Sequence, residues 1–353
     1  MAIPISTMCL RRIVTVSGVI GLLYAVVVGA QSTRSPTDPD DGRTLFTRIW
    51  TVEEGLGPAL NARNCASCHG VPTIGGSGTD PRALVIIATG IRDPTGGHVF
   101  RRLRVSRTGA VSELQPPEAV VLRKPPPLFG SGVIEAIPDA EIARLVDPED
   151  ADHDGISGRL STGRFGRKGR FRTLDDVVAA AFINELGLGS AFYADPSEAA
   201  STRQGIELTP SQLRATSSFI RTLPIPTAAP TRTLIEQRGA AAFDRIGCTR
   251  CHRPSYRVAG VGTVSPYTDL LLHDMGPALA DGVEEGRASG SEFKTPPLWA
   301  IGHTGPPYLH DGRAKTLEDA IAQHGGEASR ALTAFEALTH DEQTALLTFL
   351  RSL

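Results

Sequence analysis

Cys65-Ala66-Ser67-Cys68-His69 and Cys248-Thr249-Arg250-Cys251-His252 are two C-x-x-C-H pentapeptides set far apart in a chain of 353 residues. Two thiols separated by two residues can form thioethers with the two vinyl groups of one porphyrin, and the adjoining histidine then falls beneath the iron as proximal ligand. A bare C-x-x-C reads more often as a redox pair or half a zinc site. Neither of those requires the histidine, and a four-cysteine zinc ribbon needs its halves at short spacing. The pattern therefore points to two covalently bound haem c groups, held by Cys65, Cys68 and His69 and by Cys248, Cys251 and His252.

The fifth cysteine, Cys9, precedes an apolar run from Ile13 to Val28 that follows Arg11 and Arg12 and ends at the small residues Val28-Gly29-Ala30. This is the pattern of a secretory leader, residues 1–30, with the mature chain starting near Gln31. An uncleaved membrane anchor is the alternative, because the run is only slightly short of a membrane span. Either way the body is expected outside the cytoplasm, in the periplasm, where all four remaining cysteines belong to the haem motifs. The net charge of −2 offers nothing that would draw the chain to nucleic acid.

Elements must deliver the two motifs to their haems. Leu45, Phe46, Ile49 and Trp50 form a helical pattern before the first motif, and Leu234, Ile235, Ala242, Phe243 and Ile246 form another before the second. Leu223-Pro224-Ile225-Pro226 to Pro230 cannot be a helix interior and reads as a linker. Thr339-His340-Asp341-Glu342 is a capping box ahead of Leu346, Phe349, Leu350 and Leu353 on one helical face, suited to packing across the helix that precedes a haem motif. With 37 glycines, 26 prolines and only 5% aromatic residues, much of the chain should be irregular. The expectation is a mainly α protein of two cytochrome c-like haem domains with extended irregular loops, residues 31–226, carrying a large insertion, and 227–353.

Several segments occur together in a telling order: Gly57-Pro58 and Asn61, Lys124 to Gly130, Glu135 to Pro138, Gly155 to Arg159, and Gly163 to Gly166. They continue with Pro266 to Gly276, Thr295 to Trp299, and Leu309 to Ala314 leading into Thr316-Leu317-Glu318. In these the chain resembles the di-haem oxidoreductase family of peroxidase-like proteins, relatives of the bacterial di-haem cytochrome c peroxidases. Arg167 departs from that pattern, which has a tryptophan after Gly163-Arg164-Phe165-Gly166. If that aromatic helps electrons pass between haems in relatives, Arg167 alters the route here.

A haem that only passes electrons takes six ligands, whereas one that binds peroxide keeps an open face. For the second haem His324 is the first candidate for sixth ligand: Thr316 caps a short helix on which Leu317, Ala320, Ile321 and His324 share a face. The resemblance places a distal ligand there too, while a histidine at a helix C-terminus can also simply complement the dipole. Met275 competes as a ligand, and His310 is expected in a hydrogen-bonding role. For the first haem, His98 and His153 are in range but read as loop residues. Glu135, in an apolar stretch, is the candidate acid/base for moving a proton between peroxide oxygens, or alternatively the partner of an arginine.

Asp150, Asp152 and Asp154 before Gly155 open a calcium-loop pattern that Ser161 fails to close, so calcium would need other segments, as it has in relatives; the alternative is a solvated acidic turn. Arg159, Arg164, Arg167, Lys168, Arg170 and Arg172 form a basic run, read as a solvated face, as steering for an acidic donor protein, or, for Arg164, as a propionate partner. The expected function is a periplasmic di-haem oxidoreductase reducing hydrogen peroxide with electrons from a small donor of cytochrome c or cupredoxin type. A purely electron-transferring cytochrome and an oxidase of an organic or protein substrate are the alternatives.

Overall fold

The computed structural model describes residues 39–78, 83–88, 98–191, 207–225 and 232–353. The expected leader, residues 1–30, and the linker prolines Pro226 to Pro230 lie outside the described residues. Among those described, no helix is long and apolar enough to cross a membrane.

The helices are α1 Pro39–Thr47, α2 Ser131–Ala136, α3 Asp139–Ala143, α4 Leu174–Ala181, α5 Pro210–Arg221, α6 Leu234–Arg245, α7 Ile301–Thr304, α8 Leu317–Ala322, α9 Ser329–Glu336 and α10 His340–Arg351. Threonine starts α4, α5, α6, α8 and α10, each with a full capping box. The hydroxyl accepts the amide three residues on, and that residue's side chain returns to the cap amide. Each such cap stabilises its helix by about 1 kcal/mol.

The helical reading is accompanied by short strands that periodicity did not reveal. They are β1 Ala59–Leu60, β2 Val85–Ala88, β3 His98–Phe100, β4 Leu103–Val105, β5 Val111–Glu113, β6 Val120–Arg123, β7 Tyr256–Val258, β8 Gly262–Val264, β9 Leu272–Asp274 and β10 Glu292–Lys294. They pair antiparallel in four small sheets, with β2 between β3 and β6, β4 between β1 and β5, β7 beside β8, and β9 beside β10. Runs this short cannot display a period of two, so the sheets were hidden in what read as loop.

One helix crossing occurs twice. At Gly42 of α1 a Cβ would stand 1.9 Å from the Ala215 carbonyl oxygen of α5, and at Gly239 of α6 it would stand 2.0 Å from that of Ala345 in α10. Four residues on, Phe46 meets Phe219 edge-on at 5.4 Å and 62°, while Phe243 meets Phe349 at 5.5 Å and 64°. Glycine lets the backbones touch, and the phenylalanine one turn later locks the crossing. Each copy leads towards a C-x-x-C-H motif.

Apolar residues gather around each crossing. Phe46, Trp50, Leu60, Phe182 and Phe219 belong to the first cluster, and Phe243, Leu317, Phe335, Leu346 and Phe349 to the second. Tyr256, Leu270, Leu271 and Trp299 pack into the first, so the two halves of the chain share apolar surface.

Candidate cofactor site

Both motifs fold into single tight turns. Cys65–Ser67 and Cys248–Arg250 are 3₁₀ turns; the Asn64 side chain accepts from Ser67 N at 2.8 Å, and Gly247 enters the second at φ +92°. His69 N donates to Cys65 O at 3.0 Å and His252 N to Cys248 O at 2.9 Å, bringing each histidine back over its first cysteine. The four cysteines are half-buried and unbridged. Burial pushes the thiols of Cys65, Cys68 and Cys248 up to about 12 and raises that of Cys251. A dithiol redox pair needs the opposite, a lowered attacking thiol, so the electrostatics disfavour that reading.

Both motif histidines are held through Nδ1. Nδ1 of His69 lies 3.3 Å from Gly76 O, and Nδ1 of His252 lies 3.1 Å from Tyr267 O. With Nδ1–H donating to a carbonyl, Nε2 keeps its lone pair and its orientation, as a ligating imidazole requires. Burial lowers both rings to about 4, so both are neutral near pH 7.

A cavity of about 400 Å³ opens in front of the second motif, lined by Cys248, Cys251 and His252 and by His324, Met275 and Trp299. His324 follows α8, its Nδ1 lying 2.7 Å from Ala320 O, again leaving Nε2 free. Burial lowers its basicity, and its charge in turn depresses His252, which sets the two imidazoles within electrostatic reach of each other. Met275 lines the same cavity from the end of β9, so the structure brings both candidate sixth ligands to one place. His310 stacks on Phe293 at 4.1 Å and is lowered to about 4 by burial, while its carbonyl accepts Lys124 N at 2.7 Å.

Other expectations are revised. Glu135 accepts Leu174 N at 2.7 Å and Arg221 Nε at 2.6 Å, so its carboxylate ties α2 to α4 and α5 and is the paired group of the alternative reading, not an unpartnered acid. Arg164 caps the carbonyls ending α2, with Nη1 donating to Ile134 O and Ile137 O at 2.9 and 2.6 Å, and pairs with Asp139; it is not turned to a cofactor. Arg159 pairs with Glu292, and Lys168, fully buried, reaches Asp281 at 3.0 Å. The basic run is thus largely spent inside the fold, which removes it as a steering surface. In the acidic loop Asp154 is drawn to Arg250 at 2.6 Å, and Asp147 replaces it beside Asp150 and Asp152, their oxygens within 4.8 Å of one another. These three carboxylates would supply part of the roughly six to eight oxygens that calcium takes, the rest having to come from other groups. His153 is exposed in that loop, and the His98 side chain lies outside the described residues.

Three groups were missed. Glu185, half-buried on the π-turn Phe182–Leu186, accepts Asn61 Nδ2 at 2.8 Å and is felt by Cys65 and Cys68; burial raises its carboxyl. A carboxylate inside a helix of apolar residues was the available signal. Lys124, Arg167 and Lys294 converge on the cavity from separate segments, and nothing in the sequence announces their meeting.

The third is His273, which lies between Asp269, 2.8 Å from Nε2, and Glu327, 2.6 Å from Nδ1, beside Cys251. Burial alone would lower this imidazole, but its bonds to Asp269, Cys251 and Glu327 push it up to about 12. A folded value above the free value of roughly 6.5 means that the stability from this pairing is complete below about pH 6.5 and is lost as pH rises towards about 12. Denaturant melts of wild type and His273→Gln should differ most near about pH 6 and approach each other by about pH 10. A gap that stays constant across that range would remove the charged pairing.

Residues 206–353 match the family model described as "Di-haem oxidoreductase, putative peroxidase". No curated protein sequence matches the chain. Among solved structures, the fold is similar to hydrazine synthase of Kuenenia stuttgartiensis, at 17% identity, TM-score 0.43, covering 97% of this chain and 100% of that one. It is similar to a MauG-like protein associated with microbial copper homeostasis, at 19% identity, TM-score 0.46, covering 92% and 91%. The diheme peroxidase BthA of Burkholderia thailandensis is a third, at 16% identity, TM-score 0.49, covering 90% and 86%. Residues 206–353 are thus similar to the di-haem oxidoreductase family that the order of the chain's motifs resembles.

Proposed function

We propose that this oxidoreductase is an exported cytochrome carrying two covalent haem c groups, and that it reduces hydrogen peroxide with electrons from a small donor protein of cytochrome c or cupredoxin type. The observation that carries the reading is the pair of neutral imidazoles, His252 and His324, facing one cavity with Nε2 free on each. Two such donors suit a six-coordinate iron, which passes electrons and binds no oxidant. Catalysis then falls to the first motif.

Haem, when bound, supplies the irons that exchange electrons and, on an open face, the site at which peroxide is cleaved. The chain's own residues do the rest. Cys65, Cys68, Cys248 and Cys251 would anchor the two haems, and His69 and His252 would each offer an imidazole to an iron. His324 would offer a second imidazole at the Cys248 motif, with Met275 as the competitor at the same wall. Glu185 stands within electrostatic reach of Cys65 and Cys68, burial raises its carboxyl above the usual carboxylate range, and it takes the role first expected of Glu135. Reduction of one peroxide to two waters consumes two electrons and two protons, and a carboxyl with a raised pKa is suited to lend one and recover it.

Export rests on the Arg11-Arg12 start and the apolar run to Val28. The test is peroxide-dependent oxidation of a reduced donor by holoprotein bearing both haems. Turnover is expected, with a clear loss in Glu185→Gln. Two intact haems with no peroxide turnover would leave the electron-transfer cytochrome, and turnover only with an organic or protein substrate would point to the oxidase.

A further inference from the structure

Lys124, Arg167 and Lys294 stand together on the wall of the second motif's cavity. Their polar partners are backbone carbonyls. Lys124 Nζ donates to Pro307 O at 2.6 Å, Arg167 Nη2 to Lys124 O at 2.6 Å, and Lys294 Nζ reaches Thr295 O at only 3.4 Å. Among the described residues none of the three pairs with a carboxylate, and the buried Nε of Arg167 has no hydrogen-bond partner. Burial and, after it, the Arg167 charge lower Lys124 and Lys294 to about 8, and Arg167 itself is lowered to about 10, chiefly by burial. Lys124 is buried and Arg167 and Lys294 are half-buried, and Asp311 and Asp269 act on Arg167 and Lys294 only from beyond ion-pair distance, so the cluster holds an excess of positive charge that suits carboxylates brought in from outside the chain.

The segment from Lys124 to Pro127 is a partition. Lys124 O receives Arg167, Pro125 O receives Ser77 Oγ at 2.7 Å, and Pro126 O acts on the His69 ring, while Lys124 and Pro127 line the second motif's cavity. One face of this strip thus meets the first motif and the other meets the second. The Arg167 charge is felt at His69 across the strip and at His310 inside the cavity. Arg167 also occupies the position where the family pattern carries an aromatic residue.

We propose that Arg167, with Lys124 and Lys294, receives the propionate carboxylates of the haem on Cys248 and Cys251, and that its guanidinium, set between the motifs, raises the reduction potentials of both haems together. This rests on the di-haem reading. A fixed cation favours the ferrous state, and neutralising a propionate acts in the same direction. The first haem needs no contact with Arg167 to feel it across a low-dielectric strip.

The experiment is an optical redox titration of holoprotein, comparing wild type with Arg167→Gln, Arg167→Lys and Lys294→Gln. Both midpoints should fall in Arg167→Gln, the second haem's more, and both should recover most of the loss in Arg167→Lys. Lys294→Gln should lower the second midpoint and leave the first in place. If Arg167→Gln fails to retain the second haem, the first midpoint must still fall; with the first midpoint unmoved in either case, the shared role is overturned. Two intact haems with neither midpoint moved overturn the propionate site as well. Failure of the wild type to carry haem after export and maturation would instead strike the di-haem reading itself.

Discussion

His324→Ala is expected to turn the second iron from low-spin to high-spin in the ferric protein and to raise its potential, because a strong nitrogen donor that favours ferric iron has gone. Of the other histidines lining that cavity beside His252, His310 is held against Phe293 and His273 is bonded at both ring nitrogens by carboxylates, which leaves Met275 as the competitor. Met275→Ala should leave the low-spin spectrum intact and change only packing. Electron paramagnetic resonance of the two variants decides between the candidates. A low-spin signal that survives His324→Ala and disappears in Met275→Ala would make the centre a His/Met haem of higher potential, better suited to accept electrons directly from a donor.

A second large effect belongs to the helix crossings. On helix propensity alone, Gly→Ala in the interior of α1 or α6 should stabilise by roughly 1 kcal/mol. The structure demands the reverse sign, since a Cβ at Gly42 or Gly239 would stand 1.9 or 2.0 Å from a facing carbonyl oxygen. Gly42→Ala and Gly239→Ala should each lose about 1–3 kcal/mol as the backbones are driven apart. Valine should lose more, with the neighbouring haem released at lower denaturant. Thermal or chemical melts of the holoprotein measure this, and a stabilising alanine at either position would deny the close crossing.

What could be read directly were the features set by near neighbours in sequence. The two C-x-x-C-H turns, the Thr316 and Thr339 capping boxes, the amphipathic face of α10 and the helix leading into Cys248 all depend on residues within a turn or two of each other. His324 at the end of α8 was legible for the same reason. Features set by distant partners were not. Glu135 looked like a free buried acid because Arg221 lies 86 residues away, and the basic run looked exposed because its counter-charges, Glu292 and Asp281, come from the other half of the chain. The pairing of β9 with β10 and the meeting of Lys124, Arg167 and Lys294 are likewise products of tertiary contact. Glycine patterning gave only half of the crossing: Gly42 and Gly239 are visible, but the backbone each one meets is not.

The most direct measurement of the central claim is the intact mass, under denaturing conditions, of the protein produced through an export and haem-maturation pathway. Removal of residues 1–30 and covalent addition of two haems are expected, with one haem lost in Cys65→Ser/Cys68→Ser and the other in Cys248→Ser/Cys251→Ser. The same chain made in the cytoplasm without maturation should carry neither and should have little stable core. A mature chain whose denatured mass shows no haem, or whose haem survives loss of both cysteines of a motif, would contradict the account.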